Sequence, residues 1–118
     1  IDNSFLINMG FRLSEDKGKL LENLIAIELK RRGREIFYYS EKYECDFLIR
    51  EGNKIKEAIQ VTYELNEKNK EREIAGLMET LNKFKLKEGL IITFDQEDEF
   101  KIENKKIKVI PVWKWLLR

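Results

Sequence analysis

The sequence predicts a mixed α/β fold, in which helices pack on the faces of one β-sheet. Two segments repeat apolar residues at three- and four-residue intervals, as amphipathic helices do. Short runs rich in β-branched and aromatic residues lie between and after them, bounded by Gly and Asn, as strands are. The predicted order is helix, three strands, helix, strand, strand and a short helix.

The first helix is predicted at about residues 15–32. Ser14 suits the N-cap position. Apolar residues then recur at helical spacing as Leu20, Leu21, Leu24, Ile25 and Leu29. Cations are favoured in the last helical turn, and the glycine that follows can adopt the left-handed conformation in which helices end; here these are Lys30, Arg31, Arg32 and Gly33.

Three strands are predicted next, at residues 35–39, 43–50 and 55–63, as an antiparallel meander. The last two strands are joined across Gly52 and Asn53. A charged segment with an apolar stripe then predicts the second helix at residues 66–85.

The continuously apolar run at 90–94 predicts an interior strand that is covered on both faces. Residues 107–110 predict another strand, after a charged hairpin around Asn104. Pro111 then opens a short C-terminal helix, because proline suits the first helical turn.

The length and composition of the chain limit the number of domains and the kinds of active site that it can contain. A chain of 118 residues supports one hydrophobic core, so we predict a single domain at 14–118 after a leading strap or linker at 1–13. The chain has no histidine, which excludes Ser/His/Asp triads, histidine bases and histidine-ligated zinc. A single cysteine, Cys45, can form neither an internal disulfide nor a cysteine-based zinc site. The sequence also has no apolar span of twenty residues. We therefore expect a cytoplasmic protein without a membrane partner.

Asp46 is the least expected residue of the predicted strands, because it interrupts an apolar run and a buried carboxylate is costly. A three-residue hairpin loop at 52–54 would place Asp46 opposite Gln60, and Glu44 opposite Thr62. A two-residue loop would instead set Asp46 opposite Ile59 and break up this cluster.

Glu22 lies beside the apolar arc of the first helix and can lean over the sheet toward Asp46, with Glu28 as a competing candidate. Glu22, Asp46 and Gln60 would offer the hard oxygen ligands that Mg²⁺ prefers. The structural alternative is that Asp46 caps a turn or pairs with an arginine, while Glu22 is simply solvated.

Six segments carry a family resemblance: residues 22–23 (EN), 44–47 (ECDF), 59–61 (IQV), 72–74 (REI), 89–93 (GLIIT) and 110–117 (IPVWKWLL). From Gly18 onward the chain resembles the restriction-endonuclease-like, or PD-(D/E)XK, nuclease superfamily, as found at the C-terminus of archaeal AAA-type ATPases. The resemblance implies a restriction-endonuclease-like mixed sheet and an N-terminal ATPase domain in the full-length protein. The chain itself has no glycine-rich phosphate loop and so no ATP site.

In that superfamily a helix-one glutamate, a strand-two aspartate and a strand-three acidic-x-lysine motif bind metal and activate water. Carried over, these catalytic positions fall on Glu22, Asp46, Gln60 and Thr62, of which the first three would bind metal. Gln60 lacks a negative charge, so Mg²⁺ binding should be weak. Thr62 cannot supply the positive charge of lysine. The resemblance therefore implies a catalytically degenerate module, which binds nucleic acid or regulates an attached ATPase.

Two alternatives remain open. One is an active Mg²⁺-dependent endonuclease, in which Lys68 or Lys70 of the second helix replaces the lost lysine. The other is a protein interaction domain that uses Trp113 and Trp115. The net charge of +1 allows nucleic-acid binding only through a local patch, for which the candidates are Lys30, Arg31, Arg32 and Arg34.

Overall fold

Helix α1 spans Asn3–Arg31 in the computed structural model, which describes the backbone of residues 3–118 and the side chains from residue 16 onward. The helix begins well before the predicted start at residue 15, so Ser14 lies inside it and is not its N-cap. Gly33 ends it with a φ of 74°, as predicted. A role of residues 1–13 as a leading strap or linker stays a prediction, and Ile1 and Asp2 lie outside the described residues.

The remaining elements are β1 (Glu35–Ser40), β2 (Glu44–Glu51), β3 (Lys54–Val61), α2 (Lys70–Lys83), β4 (Glu88–Thr93), β5 (Asp98–Ile102), β6 (Lys105–Pro111) and α3 (Val112–Leu116). The strands form one sheet in the order β1-β2-β3-β4-β6-β5. The β3–β4 and β4–β6 pairs are parallel and the others antiparallel, which confirms a mixed α/β fold. In the described part of the chain, no helix is long and apolar enough to cross a membrane.

Strand β5 is missing from the predicted order, which had only a charged hairpin there. It pairs antiparallel with β6 at the edge of the sheet. Of its five residues, Phe100 and Ile102 are half-buried and the other three are exposed. The strand therefore lacks the continuous apolar run from which an interior strand can be predicted. Charged residues are common on edge strands because they discourage pairing with other chains. Glu103 and Asn104 both have positive φ, as the tightest hairpin turns require.

The core lies on both faces of the sheet. On one face α1 contributes Leu21, Ile25 and Leu29, which pack with residues of the central strands and with Trp115 of α3. On the other face Leu77 and Leu81 of α2 pack against a second set of buried residues. The consecutive residues Ile91 and Ile92 of β4 are both fully buried, one in each cluster. This confirms β4 as an interior strand that is covered on both faces.

The β2–β3 hairpin reaches the predicted register by a different route. Glu51 pairs with Lys54, so the loop has two residues, which is the second of the two alternatives. The pairing then shifts by one residue, which leaves Lys56 unpaired in a β-bulge. Beyond the bulge, Phe47 pairs with Ile59. The next residues, Asp46 and Gln60, are therefore cross-strand neighbours, as predicted.

Candidate functional site

Asp46 lies in a second bulge, near the start of β2. The pairing of β2 with β1 shifts between Phe37 and Tyr39, so that Asp46 and Phe47 together face a single residue of β1. Bulges redirect side chains and are often found beside functional sites. Here the Asp46 carboxylate accepts a hydrogen bond of 2.8 Å from the backbone N–H of Val61. The side chain thereby links the two strands beyond the last pair of their ladder.

Gln60 is 3% exposed, and its amide is held by three hydrogen bonds. Its Oε1 accepts a bond of 2.9 Å from the backbone N–H of Asp46. Its Nε2 donates to the carbonyl oxygens of Glu44, at 2.8 Å, and Glu73, at 3.2 Å. We call this arrangement the Gln60 bracket, because one side chain ties the start of β2 to the first turns of α2.

Gly76 makes this close approach of α2 possible. A Cβ atom at this position would lie 2.1 Å from the carbonyl oxygen of Glu44 and 2.8 Å from Nε2 of Gln60. Real Cβ contacts are never that short, and the first atom belongs to the backbone and cannot turn away. A glycine at residue 76 is therefore needed for the Gln60 bracket to form.

An open cleft of about 470 Å³ lies between the start of β2 and the start of α2. Its walls include two cations, three carboxylates, an aromatic ring and the bracket amide: Lys42, Arg72, Glu44, Asp46, Glu73, Tyr43 and Gln60. With both signs of charge on its walls, the cleft differs from a uniformly basic phosphate channel.

Two carboxyl groups in this cleft are partly withdrawn from water. Burial raises the pKa of Asp46 to about 6, and the charges of Glu22 and Glu44 add to the rise, while the Val61 hydrogen bond opposes it. Burial also raises the pKa of Glu73 to about 7, with a further contribution from the charge of Asp46. Both carboxyl groups therefore keep their protons to a higher pH than exposed carboxyl groups do.

Glu73 was not predicted as a site residue. The spacing in the sequence could have indicated it, because Glu73 precedes Leu77 by four residues and Thr80 by seven, which places it on the same helix face as these two buried residues. A glutamate on the buried stripe of an amphipathic helix is as unexpected as an aspartate in an apolar strand.

Of the three predicted metal ligands, Asp46 and Gln60 line the cleft and Glu22 does not. Glu22 is exposed on α1 and does not line the cleft, although its charge acts on Asp46. The Gln60 oxygen already accepts the Asp46 N–H, and the amide is buried. Among the residues that the structure describes, no group of three or more acidic or cysteine side chains is placed to hold a metal ion. The Gln60 oxygen is therefore not free to ligate a metal ion, and weak Mg²⁺ binding by Glu22 and Asp46 stays a prediction.

Thr62 belongs to the turn that leads into α2. Its hydroxyl donates to the carbonyl oxygen of Glu64 at 3.3 Å and accepts from Asn69 Nδ2 at 3.4 Å. The pairing of Thr62 with Glu44 that a three-residue loop would give does not form, because the β2–β3 ladder ends at the Phe47–Ile59 pair and β3 ends at Val61. Thr62 is also not among the residues that line the cleft.

Neither Lys68 nor Lys70, the predicted replacements for the lost lysine, lines the cleft. The Lys70 Nζ lies 4.4 Å from the ring centroid of Phe100 on β5, where a cation–π contact holds it. The cations on the walls of the cleft are Lys42 and Arg72.

The basic residues at the end of α1 are largely engaged within the protein. Arg31 and Arg32 both donate to the Glu28 carboxylate, at 2.7–2.8 Å. Hydrogen bonds from Arg31 and then Arg32 lower the pKa of Glu28 to about 2. Glu28 therefore serves this ion pair and not the cleft.

Arg32 also fastens α3, because its guanidinium lies 4.7 Å from the ring centroid of Trp115 and donates to the Leu116 carbonyl at 3.2 Å. Arg34 pairs with Glu51 at 3.9 Å, while Lys30 is exposed. Since Glu51 ends β2 and the cleft lies at its start, the predicted nucleic-acid patch and the cleft are at opposite ends of that strand.

Residues 17–115 match the family model described as a domain of unknown function, DUF4143. The chain belongs to the DUF4143 family. All cleft residues and the whole Gln60 bracket of this DUF4143 domain lie inside the matched range. A relative in the curated proteins is the uncharacterized protein MJ1544 of Methanocaldococcus jannaschii, which is 43% identical over 121 residues. The match covers 93% of this chain but only 27% of the relative.

Proposed function

We propose that this DUF4143 domain is a catalytically degenerate module of the restriction-endonuclease-like fold, which regulates an attached archaeal AAA-type ATPase and does not cleave nucleic acid. The Gln60 bracket carries the proposal. At the position where the superfamily has an acidic metal ligand, this chain has a buried amide whose oxygen and nitrogen are both bonded to backbone groups. A side chain in that role stabilises the strand–helix junction and is not available to a metal ion.

The missing cation supports the same conclusion. At the superfamily's lysine position, Thr62 is bonded to the turn before α2 and offers no positive charge. Loss of one preorganised charge-stabilising donor typically costs a factor of about 10² to 10³ in rate. With the acidic ligand lost as well, we expect no turnover that a cell could use.

Two observations favour regulation within a longer protein. The chain spans about a quarter of the relative it matches, so in that protein the domain is one part of a larger polypeptide. Within the domain, Arg31, Arg32 and Arg34 share the carboxylates of Glu28 and Glu51, which reduces the positive charge that this patch offers to a phosphate backbone.

Cleavage assays test the loss of catalysis. The domain is incubated with supercoiled DNA, single-stranded DNA and RNA in the presence of Mg²⁺ or Mn²⁺, beside the Asp46→Asn variant. We expect equal, background rates from both proteins. If the wild-type domain shows robust Mg²⁺-dependent cleavage and Asp46→Asn abolishes it, the alternative of an active endonuclease is supported and the proposal is refuted.

The regulatory role is tested in the longer Methanocaldococcus jannaschii relative. ATP hydrolysis is measured for the full polypeptide and for a version without the segment that this chain matches. We expect the rate to change on removal of the segment. A relative that neither binds nor hydrolyses ATP, or whose rate is indifferent to the segment, would refute this role.

Nucleic-acid binding is the second candidate, favoured by Lys42, Tyr43 and Arg72 on the rim of the cleft. Fluorescence anisotropy over a salt series tests it, with Arg72→Ala as the variant. If Arg72 contacts a phosphate, its removal should reduce the slope of log K against log salt by about 0.7 to 0.9. An unchanged slope would place any binding elsewhere.

A further inference from the structure

Helix α1 carries a second apolar stripe on the side that faces away from the sheet. Leu20 and Ile27 are each 65% exposed, and Leu24 is 43% exposed. Their four- and three-residue spacing places them on one face of the helix. The core-facing residues Leu21 and Ile25 immediately follow two of them, so α1 is apolar on two sides. Exposed aliphatic residues that cluster on one helix face indicate a contact surface.

The ends of the exposed stripe have opposite charges. One helical turn before Leu20 lies the exposed Asp16, and one turn after Ile27 lies Arg31, whose side chain is 71% exposed. Arg31 bonds to Glu28 through Nε and Nη2, and Nη1 takes part in neither bond. Along the helix, the stripe therefore consists of an acidic residue, three aliphatic residues and a basic residue, in that order.

This order is self-complementary in an antiparallel arrangement. Leu20 and Ile27 are equally far from the midpoint between residues 23 and 24, and so are Asp16 and Arg31. If a two-fold axis passes through that midpoint, Leu20 of one copy faces Ile27 of the other, and Asp16 faces Arg31. Each favourable contact then occurs twice, as in any two-fold interface.

We propose that this face of α1 binds a second copy of the chain, in an antiparallel helix pair centred between residues 23 and 24. The pairing removes three exposed aliphatic side chains per copy from water, and it adds two intermolecular ion pairs at the ends. A parallel pair would instead set Asp16 against Asp16 and Arg31 against Arg31. The interface is small, so the dimer dissociates readily and forms at high protein concentration.

Sedimentation equilibrium on the 118-residue chain measures the dimer constant directly. We expect L20S/I27S to abolish dimerisation, whereas Leu117→Ser, at an apolar residue that is 80% exposed outside the stripe, should leave the constant unchanged. Far-UV circular dichroism of each variant confirms that the fold is retained. A wild-type chain that is monomeric up to millimolar concentration overturns the proposal.

Charge reversal tests the antiparallel register. Asp16→Arg alone and Arg31→Asp alone each place like charges together twice, and should weaken dimerisation about tenfold. The double reversal restores opposite charges, and should bring the constant back to within about threefold of wild type. If the double variant is weaker than either single variant, the pairing is not antiparallel through this midpoint and the proposal fails.

Discussion

Replacement of Gln60 by glutamate changes only one group of the Gln60 bracket. The Nε2 amide becomes an oxygen, while size and shape are kept. In the native bracket Nε2 donates to the carbonyl oxygens of Glu44 and Glu73. In the variant an acceptor would face these two acceptors inside a site where residue 60 is 3% exposed. We therefore expect Gln60→Glu to destabilise the domain and not to repair a metal site.

The size of the effect follows from the two bonds. Removal of the donor from a buried acceptor typically costs about 1 to 3 kcal/mol. Because Glu73 lies inside α2, where its carbonyl oxygen also accepts an intrahelical hydrogen bond, the loss falls mainly on the Glu44 carbonyl. We expect a loss of about 2 kcal/mol, a large fraction of the roughly 5 to 15 kcal/mol that stabilises a typical domain.

The penalty should depend on pH in a defined direction. When it is protonated, the carboxyl group introduced by Gln60→Glu can still donate one bond, so the folded state raises its pKa above the unfolded value of about 4.3. The folded state then holds a proton that the unfolded state has released, and stability falls as pH rises through this range. The loss is smallest below about pH 4 and complete above the folded pKa.

Urea unfolding at pH 5 and pH 8, followed by circular dichroism, measures both features. We expect a lower midpoint at unchanged m-value, with the larger shift at pH 8. Asn23→Asp, which makes the same amide-to-acid change at an exposed helical residue, is the matched control and should shift the midpoint little. If Gln60→Glu is as stable as wild type at pH 8, or gains stability from Mg²⁺, the reasoning is refuted.

Further predictions follow from the same site. Gly76→Ala should lower the free energy of unfolding by about 3 kcal/mol, because the new Cβ atom would clash with the Glu44 carbonyl. Gly18→Ala is the matched control in the middle of α1, where the new Cβ atom has no neighbour within 4 Å, and it should raise the free energy of unfolding by about 0.5 to 1 kcal/mol. Wild-type stability should fall from pH 4 to pH 8, by an amount on the order of 3 kcal/mol for each group, because burial raises the pKa of Asp46 to about 6 and of Glu73 to about 7. D46N/E73Q should flatten that dependence in urea titrations, and an unchanged slope would show that other groups cause it. Nucleic-acid binding, if detectable, should be weak and strongly salt-dependent because the net charge is +1, and salt-insensitive binding would contradict a phosphate-based contact.

The sequence and the structure lead to different expectations for one restoration experiment. From the resemblance alone, Gln60→Glu with Thr62→Lys should improve metal binding, with recovery of cleavage only if the cleft geometry survives. The structure adds that residue 60 holds two backbone carbonyls and that Thr62 does not line the cleft. We expect the double variant to unfold more easily than wild type, and recovered Mg²⁺-dependent cleavage would contradict this.

The local sequence determined the elements whose signals are repeated along the chain. The helical period appears in Leu21, Ile25 and Leu29, and all three are buried between α1 and the sheet. Gly33 supplied the stop signal, because few other residues accept its positive φ. The apolar run of β4 indicated burial on both faces. Such patterns are readable because each depends on several neighbouring residues and not on one distant contact.

The tertiary structure alone decided how the site is arranged. Bulges at Lys56 and Asp46 set the strand registers, and a bulge leaves no dependable mark in the composition of its strand. The role of Gln60 depends on carbonyls 16 residues before it and 13 after it, brought together by packing. A side chain of one chemical type can ligate a metal or bridge two backbone segments, and its identity does not distinguish these roles. What distinguishes them is the distance of each polar atom from its partners, which is fixed only when α2 closes on the sheet over Gly76.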